Sequence, residues 1–94
     1  MERLKIKTSK DVAIRYSELS GCDEIYIITI GRSEFQVRYR YYAEMPEPQV
    51  WWFIDNKKIM VCTTGKLPKA SKSKRIKELF IAFLLGAGWL EMEC

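Results

Sequence analysis

Two neighbouring segments, 24–30 and 35–42, restrict the fold of this chain more than any other part of its sequence. The first is rich in β-branched residues, and the second alternates apolar and polar residues until Tyr42. A period of two places successive side chains on opposite faces of a strand. The residues between them, 31–34, include Gly31 and are typical of a turn. The sequence therefore predicts a β-hairpin.

The second strand of this hairpin has two chemically different faces. One face holds Phe35, Val37, Tyr39 and Tyr41, and the other holds Gln36, Arg38, Arg40 and Tyr42. The partner residues from the first strand depend on the turn. With a two-residue turn, the residues on the face of Phe35 are Tyr26, Ile28 and Ile30. With a three-residue turn, they are Ile25, Ile27 and Thr29. This register stays open, because a shift of one residue exchanges the two faces.

A second hairpin is predicted from segments 49–55 and 58–63. With Asn56 and Lys57 as the turn, one face holds Val50, Trp52, Ile54, Ile59 and Val61. The opposite face then holds Trp51, Phe53, Met60 and Cys62. Pro46 and Pro48 cannot continue a central strand, so a loop must separate the two hairpins.

The N-terminal part of the chain combines a period-two segment with a helical pattern. Residues 3–7 alternate charged and apolar side chains and predict a short edge strand. Thr8, with Asp11 three residues later, approximates a capping box. The apolar residues that follow have the spacing of one helix face: Val12, Tyr16 and Leu19. We therefore predict a helix from Thr8 to about Leu19, ended by Gly21.

A second helix is predicted near the C-terminus. Ser71 or Ser73 is placed to cap it, and it runs to about Leu85, before the glycine-containing break at 86–88. Segment 79–85 is apolar all round, which indicates a helix buried on more than one side.

The predicted element order is β-α-β-β-β-β-α. Short turns between successive strands imply a mostly antiparallel sheet of four to five strands, and two helices can cover one of its faces. Ninety-four residues suffice for one hydrophobic core. We therefore expect a single two-layer α+β domain over residues 1–94.

Charge is concentrated in one part of the chain. Between Asn56 and Lys77 there is no acidic residue and there are eight cations: Lys57, Lys58, Lys66, Lys69, Lys72, Lys74, Arg75 and Lys77. The formal net charge of the whole chain is +4, so the remainder carries a net charge of −4. We call residues 56–77 the basic segment. A localised positive field attracts anionic partners.

Four cations of the basic segment precede or open the C-terminal helix, Lys69, Lys72, Lys74 and Arg75, and Lys77 follows them. A helix N-terminus already carries about half a positive charge, so cations there are unfavourable unless an anion binds. Backbone amides at a helix start, with lysines nearby, suit a phosphate. These five residues are candidate nucleic-acid contacts. The alternatives are a solvated linker and a surface that binds an acidic protein.

A second candidate surface lies on the predicted strands. Arg38 and Arg40 are candidate nucleic-acid contacts, and Tyr42, Trp51 and Phe53 are candidate partner-binding residues, if the two hairpins pair suitably. Aromatic rings and guanidinium groups on an open sheet can stack on unpaired bases. The alternative is that these aromatic residues belong to a core or an oligomer interface.

Several function classes are not favoured by the sequence. The chain has no histidine and three scattered cysteines, so we expect no enzymatic activity, no metal site and no cofactor. The longest uncharged stretch, 79–90, is 12 residues, too short to span a bilayer. The N-terminus lacks the apolar region of a signal peptide, so a cytoplasmic protein is expected.

The predicted order of elements over residues 12–85 resembles that of a double-stranded-RNA-binding domain. That family has a helix, then strands, then a helix opened by lysines. The resemblance implies phosphate contacts by Lys72, Lys74 and Lys77. Here four strands, not three, follow the first helix, and a further strand precedes it.

The sequence thus predicts a small non-enzymatic module that binds the phosphate backbone of DNA or RNA. The alternative is an interaction or inhibitor protein, such as an accessory factor of a phage or mobile element, that docks on an acidic or nucleic-acid-handling partner. A homodimer formed through the two-faced sheet or the apolar helix is compatible with either function.

Overall fold

The computed structural model describes residues 3–40, 47–54, 57–63, 67 and 69–93. Its elements are, in chain order, β1 (Leu4–Ile6), a 3-10 turn (Ser9–Asp11), β2 (Val12–Ser20), β3 (Asp23–Ile30), β4 (Ser33–Arg40), β5 (Gln49–Ile54), β6 (Lys57–Thr63), a second 3-10 turn (Lys69–Ser71), α1 (Lys72–Ala87) and β7 (Leu90–Met92). The prediction of an α+β protein with a mostly antiparallel sheet is confirmed. The prediction of two α-helices is wrong, because α1 is the one α-helix in these ranges.

The strands form two sheets. Strands β2 to β6 pair with their neighbours in sequence order, all antiparallel, to give a five-stranded meander. Strands β1 and β7 form a separate parallel pair in which Leu4 lies opposite Leu90. Strand β7 was not predicted. Strand β1, which was predicted as an edge strand, pairs with it.

The segment predicted as the first helix is strand β2. Thr8 and Asp11 do form a capping box, but it caps a single 3-10 turn and not an α-helix. A β-bulge between Tyr16 and Glu18 then shifts the register, so that Leu19 lies on the same sheet face as Tyr16. The three-residue spacing that indicated a helix is produced by this bulge. Gly21, predicted as a helix cap, lies in the two-residue turn to β3 with φ of +63°.

The resemblance to a double-stranded-RNA-binding domain does not extend to the structure. It required a helix ahead of the strands, and β2 occupies that part of the chain.

The first predicted hairpin has the two-residue turn. Ile30 lies opposite Ser33 and Ile28 opposite Phe35, which places Tyr26, Ile28 and Ile30 on the face of Phe35. The predicted register of the second hairpin is wrong by one residue. The prediction placed Trp51 and Val61 on different faces of the sheet, whereas in the structure they are paired on the same face. A bulge between Trp52 and Phe53 then shifts the register again, with Ile59 as the extra residue of β6.

Helix α1 packs on one face of the five-stranded sheet. Its buried line is Ile76, Phe80 and Leu84, at a spacing of four residues. The Phe80 ring lies 4.9 Å from that of Trp52 and 5.2 Å from that of Phe35, measured between centroids. The helix is not buried on all sides, because Ala82 and Leu85 are exposed. The core therefore lies between one helix face and one sheet face.

The edges of the five-stranded sheet are β2 and β6. Strand β2 is interrupted by its bulge, and β6 begins with Lys57 and Lys58. Bulges and edge lysines both oppose the pairing of an edge strand with another chain. Homodimerisation stays a prediction, and these features make edge-to-edge pairing its least favourable route.

Helix α1 ends at a left-handed glycine. Gly88 has φ of +77°, and the Trp89 N–H donates to the Leu84 carbonyl at 2.9 Å. An alanine Cβ built at residue 88 would contact nothing within 4 Å, so its cost arises from the backbone conformation alone. Gly86 also has open space for a Cβ, but its φ is not in the left-handed region.

These two glycines predict opposite effects of the same substitution. We expect Gly88→Ala to lower the free energy of unfolding by about 1 kcal/mol. Gly86→Ala should instead raise it by about 0.5–1 kcal/mol, because alanine loses less backbone entropy within a helix. Urea denaturation followed by circular dichroism measures both. Equal effects of the two substitutions would contradict the role assigned to the helix end.

Candidate functional site

One face of the five-stranded sheet is not covered by α1. We call it the open face, and its central residues are Asp23, Ile25, Arg38, Arg40, Gln49, Trp51, Phe53, Lys58 and Val61. Backbone pairing aligns them in rows across the strands: Ile25, Arg38, Trp51 and Val61 form one row, and Asp23, Arg40 and Gln49 form the next. The register therefore brings together four of the predicted site residues, Arg38, Arg40, Trp51 and Phe53.

A buried carboxylate organises the two arginines of the open face. Arg40 donates from Nε to Oδ1 of Asp23 at 2.6 Å and from Nη2 to Oδ2 at 2.8 Å. Arg38 donates from Nη1 to the same Oδ2 at 3.3 Å. The Asp23 side chain is 4% exposed, whereas those of Arg38 and Arg40 are 31% and 29% exposed. Each guanidinium is thus anchored at one side and reaches solvent at another.

The charge state of Asp23 follows from this geometry. The Arg40 hydrogen bonds lower the pKa of the Asp23 carboxyl below its ordinary value, with a smaller contribution from Arg38, and burial opposes them. Asp23 is therefore ionised at neutral pH and accepts hydrogen bonds from both guanidiniums.

Two cations lie against the indole ring of Trp51. The Arg40 Cζ is 4.5 Å from the ring centroid, and the Lys58 Nζ is 4.1 Å from it. Arg40 approaches from β4 and Lys58 from β6, on opposite sides of β5. Both distances are within the range of a cation–π contact with the same indole ring. Trp51 Nε1 donates to Gln49 Oε1 at 3.0 Å, which holds the ring in place.

Phe53 extends the aromatic surface along β5. Its ring centroid lies 6.4 Å from that of Trp51, and the Arg38 Cζ is 5.5 Å from the Phe53 centroid. The Nε of Arg38 is buried and has no hydrogen-bond partner among the residues described. The open face therefore presents two half-buried aromatic rings beside three cationic groups.

The cations at the start of α1 lie on the other side of the sheet and are mostly engaged within the protein. Lys72 Nζ donates to Glu24 Oε1 at 2.6 Å and lies 4.9 Å from the Tyr39 ring centroid. Glu24 also accepts from the Tyr26 hydroxyl at 3.4 Å. Burial and the charge of Glu24 raise the pKa of the Tyr26 phenol well above its ordinary value, so the phenol stays protonated.

The other helix-start cations differ in their availability. Lys77 Nζ donates to the carbonyls of Ser9 and Val12, both at 3.0 Å, and so joins α1 to the N-terminal segment. Arg75 pairs with Glu78 at 2.7 Å on the exposed helix surface. Lys74 is exposed and makes no ion pair with any residue in the described ranges. Lys69 lies in the second 3-10 turn, but its side chain falls outside the description, as does all of Tyr42.

Two residues of the open face were missed by the sequence-based prediction. Asp23 immediately precedes the segment predicted as a strand, which is an ordinary place for a solvated acid, and nothing in the sequence pairs it with Arg40. Lys58 belongs to the basic segment and starts the predicted strand 58–63, but the predicted turn pairs it with residue 55, two residues away from its partner in the structure, Phe53. Correct strand registers would have placed Asp23 opposite Arg40 and Lys58 opposite Phe53, and so would have identified both residues.

Comparisons of the chain with protein-family models, with curated proteins and with solved structures found no match. Function must therefore be argued from the site itself. Within the described part of the chain, no group of three or more acidic or cysteine side chains is placed to hold a metal ion. None of the helices in that part combines the length and apolar character needed to cross a membrane.

Proposed function

We propose that this protein is a small non-enzymatic nucleic-acid-binding module whose binding surface is the open face. The observation that carries the proposal is the grouping of Arg38, Arg40 and Lys58 around the rings of Trp51 and Phe53 on a sheet face that α1 leaves uncovered. Aromatic rings with adjacent cations are the arrangement by which open sheets bind unpaired bases and the backbone between them. Single-stranded DNA or RNA is therefore the ligand class we propose.

The relative strengths of the contacts at Trp51 favour stacking by a base. A cation over an exposed aromatic ring contributes about 0.5–1 kcal/mol. Base stacking on an aromatic side chain contributes about 1–3 kcal/mol. A nucleotide that displaces one cation from the ring, and then pairs with that cation through its phosphate, gains the stronger contact and keeps the charge.

The basic segment supports the open face by electrostatic attraction. Lys57 and Lys58 lie at the start of β6, both are exposed, and Lys58 contacts the Trp51 ring. Their field raises the rate at which a polyanion meets the surface. The start of α1 supports the proposal less than its sequence suggested, because Lys72 and Lys77 bind groups of the protein itself. We retain Lys69, Lys74 and Arg75 as secondary phosphate contacts.

Binding of labelled oligonucleotides, measured by fluorescence anisotropy, tests the proposal. We expect single-stranded DNA or RNA to bind at about 50 mM salt and much more weakly at about 200 mM, because bound counterions are released. Trp51→Ala should weaken binding by about tenfold or more, through lost stacking. The matched control is Tyr16→Ala, which removes an exposed aromatic ring from the opposite sheet face.

Two results would contradict the proposal. One is the absence of binding at protein concentrations up to about 100 μM in low salt, since about 100 μM is already the weak limit of non-specific affinity at physiological salt. The other is an equal effect of Trp51→Ala and Tyr16→Ala, which would place the binding surface elsewhere. A duplex oligonucleotide in the same titration shows whether unpaired bases are required.

A protein partner is the second candidate, favoured by one observation. Ile59 and Val61 on the edge strand β6 are 36% and 40% exposed, and Val61 lies in the same row as Trp51. Tryptophan and arginine are frequent anchors of protein interfaces, and the lysines of β6 would steer an acidic partner. Failure of every oligonucleotide to bind would leave this interaction or inhibitor function as the better proposal.

A further inference from the structure

We propose that Arg40 and Lys58, which reach Trp51 from opposite sides of β5, cover opposite faces of its ring, and that a base stacks only on the Lys58 face. Lys58 then moves from the ring to a phosphate of the bound strand. This inference rests on the proposed function. The two cations at the ring have different roles. Arg40 stays on the ring when a strand binds, and a base displaces Lys58.

The Arg40 side of the ring is closed by the anchoring of that guanidinium. Two hydrogen bonds, at 2.6 and 2.8 Å, join it to Asp23. Asp23 is almost fully buried, so withdrawal of Arg40 would leave an ionised carboxylate with one longer contact, to Arg38 at 3.3 Å. An unpaired buried charge is strongly unfavourable, so Arg40 stays on the ring when a strand binds.

The Lys58 side of the ring is held far less firmly. Lys58 is exposed, and among the residues described its ammonium contacts the Trp51 ring without a hydrogen bond or an ion pair to hold it there. A lysine side chain has four flexible carbons and a compact charge that pairs with phosphate from many directions. Moving Lys58 therefore breaks one weak contact and no hydrogen bond within that part of the chain.

The position of Lys58 makes this exchange geometrically direct. The backbone of Lys58 is paired with Phe53 on the neighbouring strand, whereas its ammonium contacts Trp51, which is paired with Val61. The Lys58 side chain therefore extends along the sheet from the Phe53 row to the Trp51 row. A base placed on the same ring face brings its phosphate to the β6 side of the ring, where the displaced ammonium remains within reach. The bound strand is thus expected to follow β6, with Arg40 behind the indole and Lys58 in front of it.

Fluorine NMR of protein labelled with 5-fluorotryptophan tests this inference. The Trp51 resonance is assigned with Trp51→Phe. We expect Lys58→Ala to shift this resonance in the free protein and to increase its sensitivity to exchange of H2O for D2O, because the ring becomes exposed. The control is Lys10→Ala, which removes a charge from the 3-10 turn and should leave the resonance unchanged.

Addition of a saturating single-stranded oligonucleotide completes the experiment. The Trp51 resonance of the wild-type protein should shift and lose solvent sensitivity, while the Arg40 Nε–H resonance, assigned with Arg40→Lys, keeps its position. In Lys58→Ala the stacking shift should persist. The slope of log Kd against log salt should fall by about 0.7, the loss of one phosphate contact on a single strand.

The outcomes separate the inference from the proposed function. Oligonucleotide binding without any change at Trp51, or with a displaced Arg40 Nε–H resonance, overturns the inference and leaves the function standing. An unchanged Trp51 resonance in free Lys58→Ala also overturns it, without reference to nucleic acid. Absence of oligonucleotide binding overturns both.

Discussion

Phe80→Ala is expected to lower the free energy of unfolding by about 3–5 kcal/mol. Phe80 is fully buried at the centre of the contact between α1 and the sheet, with its ring against those of Phe35, Trp52 and Phe83. Alanine removes the apolar surface of the ring and leaves a cavity that a rigid sheet cannot close. Because domains of this size are stable by about 5–15 kcal/mol, the loss is a large fraction of the total.

Urea denaturation of the wild-type protein and the variant measures this effect. The matched control is Leu85→Ala, further along the same helix, where the side chain is 40% exposed. We expect that change to cost less than about 1 kcal/mol, because little buried surface is lost. Similar costs for the two variants would show that α1 does not pack through Phe80.

Asp23→Asn is expected to produce the second largest loss, of about 2 kcal/mol at neutral pH. Asparagine has nearly the same shape but no charge to balance the guanidiniums of Arg38 and Arg40. Breaking a fully buried ion pair costs about 3–5 kcal/mol. The value expected here is lower, because both guanidiniums are about one third exposed and solvent screens part of their charge.

The pH dependence of this loss identifies its cause. Arg40, and to a smaller extent Arg38, lower the pKa of Asp23 in the folded protein below its value in the unfolded chain. The stabilisation is therefore complete above about pH 5, where an aspartate in the unfolded chain is almost fully ionised, and it is lost as the pH falls through the folded pKa.

The free energies of unfolding of wild-type and Asp23→Asn proteins should accordingly differ by a constant amount between about pH 5 and 7 and converge below about pH 4. Glu18→Gln, at an exposed position of β2, serves as the control and should show no such convergence. A difference that persists unchanged in strong acid would mean that the introduced amide disturbs packing and that the charge of Asp23 contributes little.

The fold was predictable where one periodicity dominated. Strand β3 is rich in β-branched residues, β4 alternates apolar and polar residues from Phe35 onward, and Gly31 permits the tight turn between them, so their hairpin follows from local chemistry. Strand β2 was not predictable in the same way. Its bulge interrupts the alternation after Tyr16, and the remaining apolar spacing is the same as that of a helix. Whether this segment forms a strand or a helix is decided by its backbone pairing with β3, which is a tertiary contact.

The candidate site shows the same division. The sequence predicted that Arg38 and Arg40 share one face of β4 and that Trp51 and Phe53 share one face of β5. It did not predict that these two faces are the same face, because that depends on a loop and on the pairing of β4 with β5. The contacts of Asp23 and Lys58 depend on the register as well, and so both residues were missed.

Alternation, turn residues and charge distribution determined by themselves that this chain forms an antiparallel sheet, a C-terminal helix and a localised basic segment, because these properties depend on neighbouring residues. Only the tertiary structure decided which sheet face α1 covers, which lysines are engaged and which cations lie on Trp51. Those features depend on contacts between residues distant in sequence, where a shift of one position moves a side chain from solvent to core.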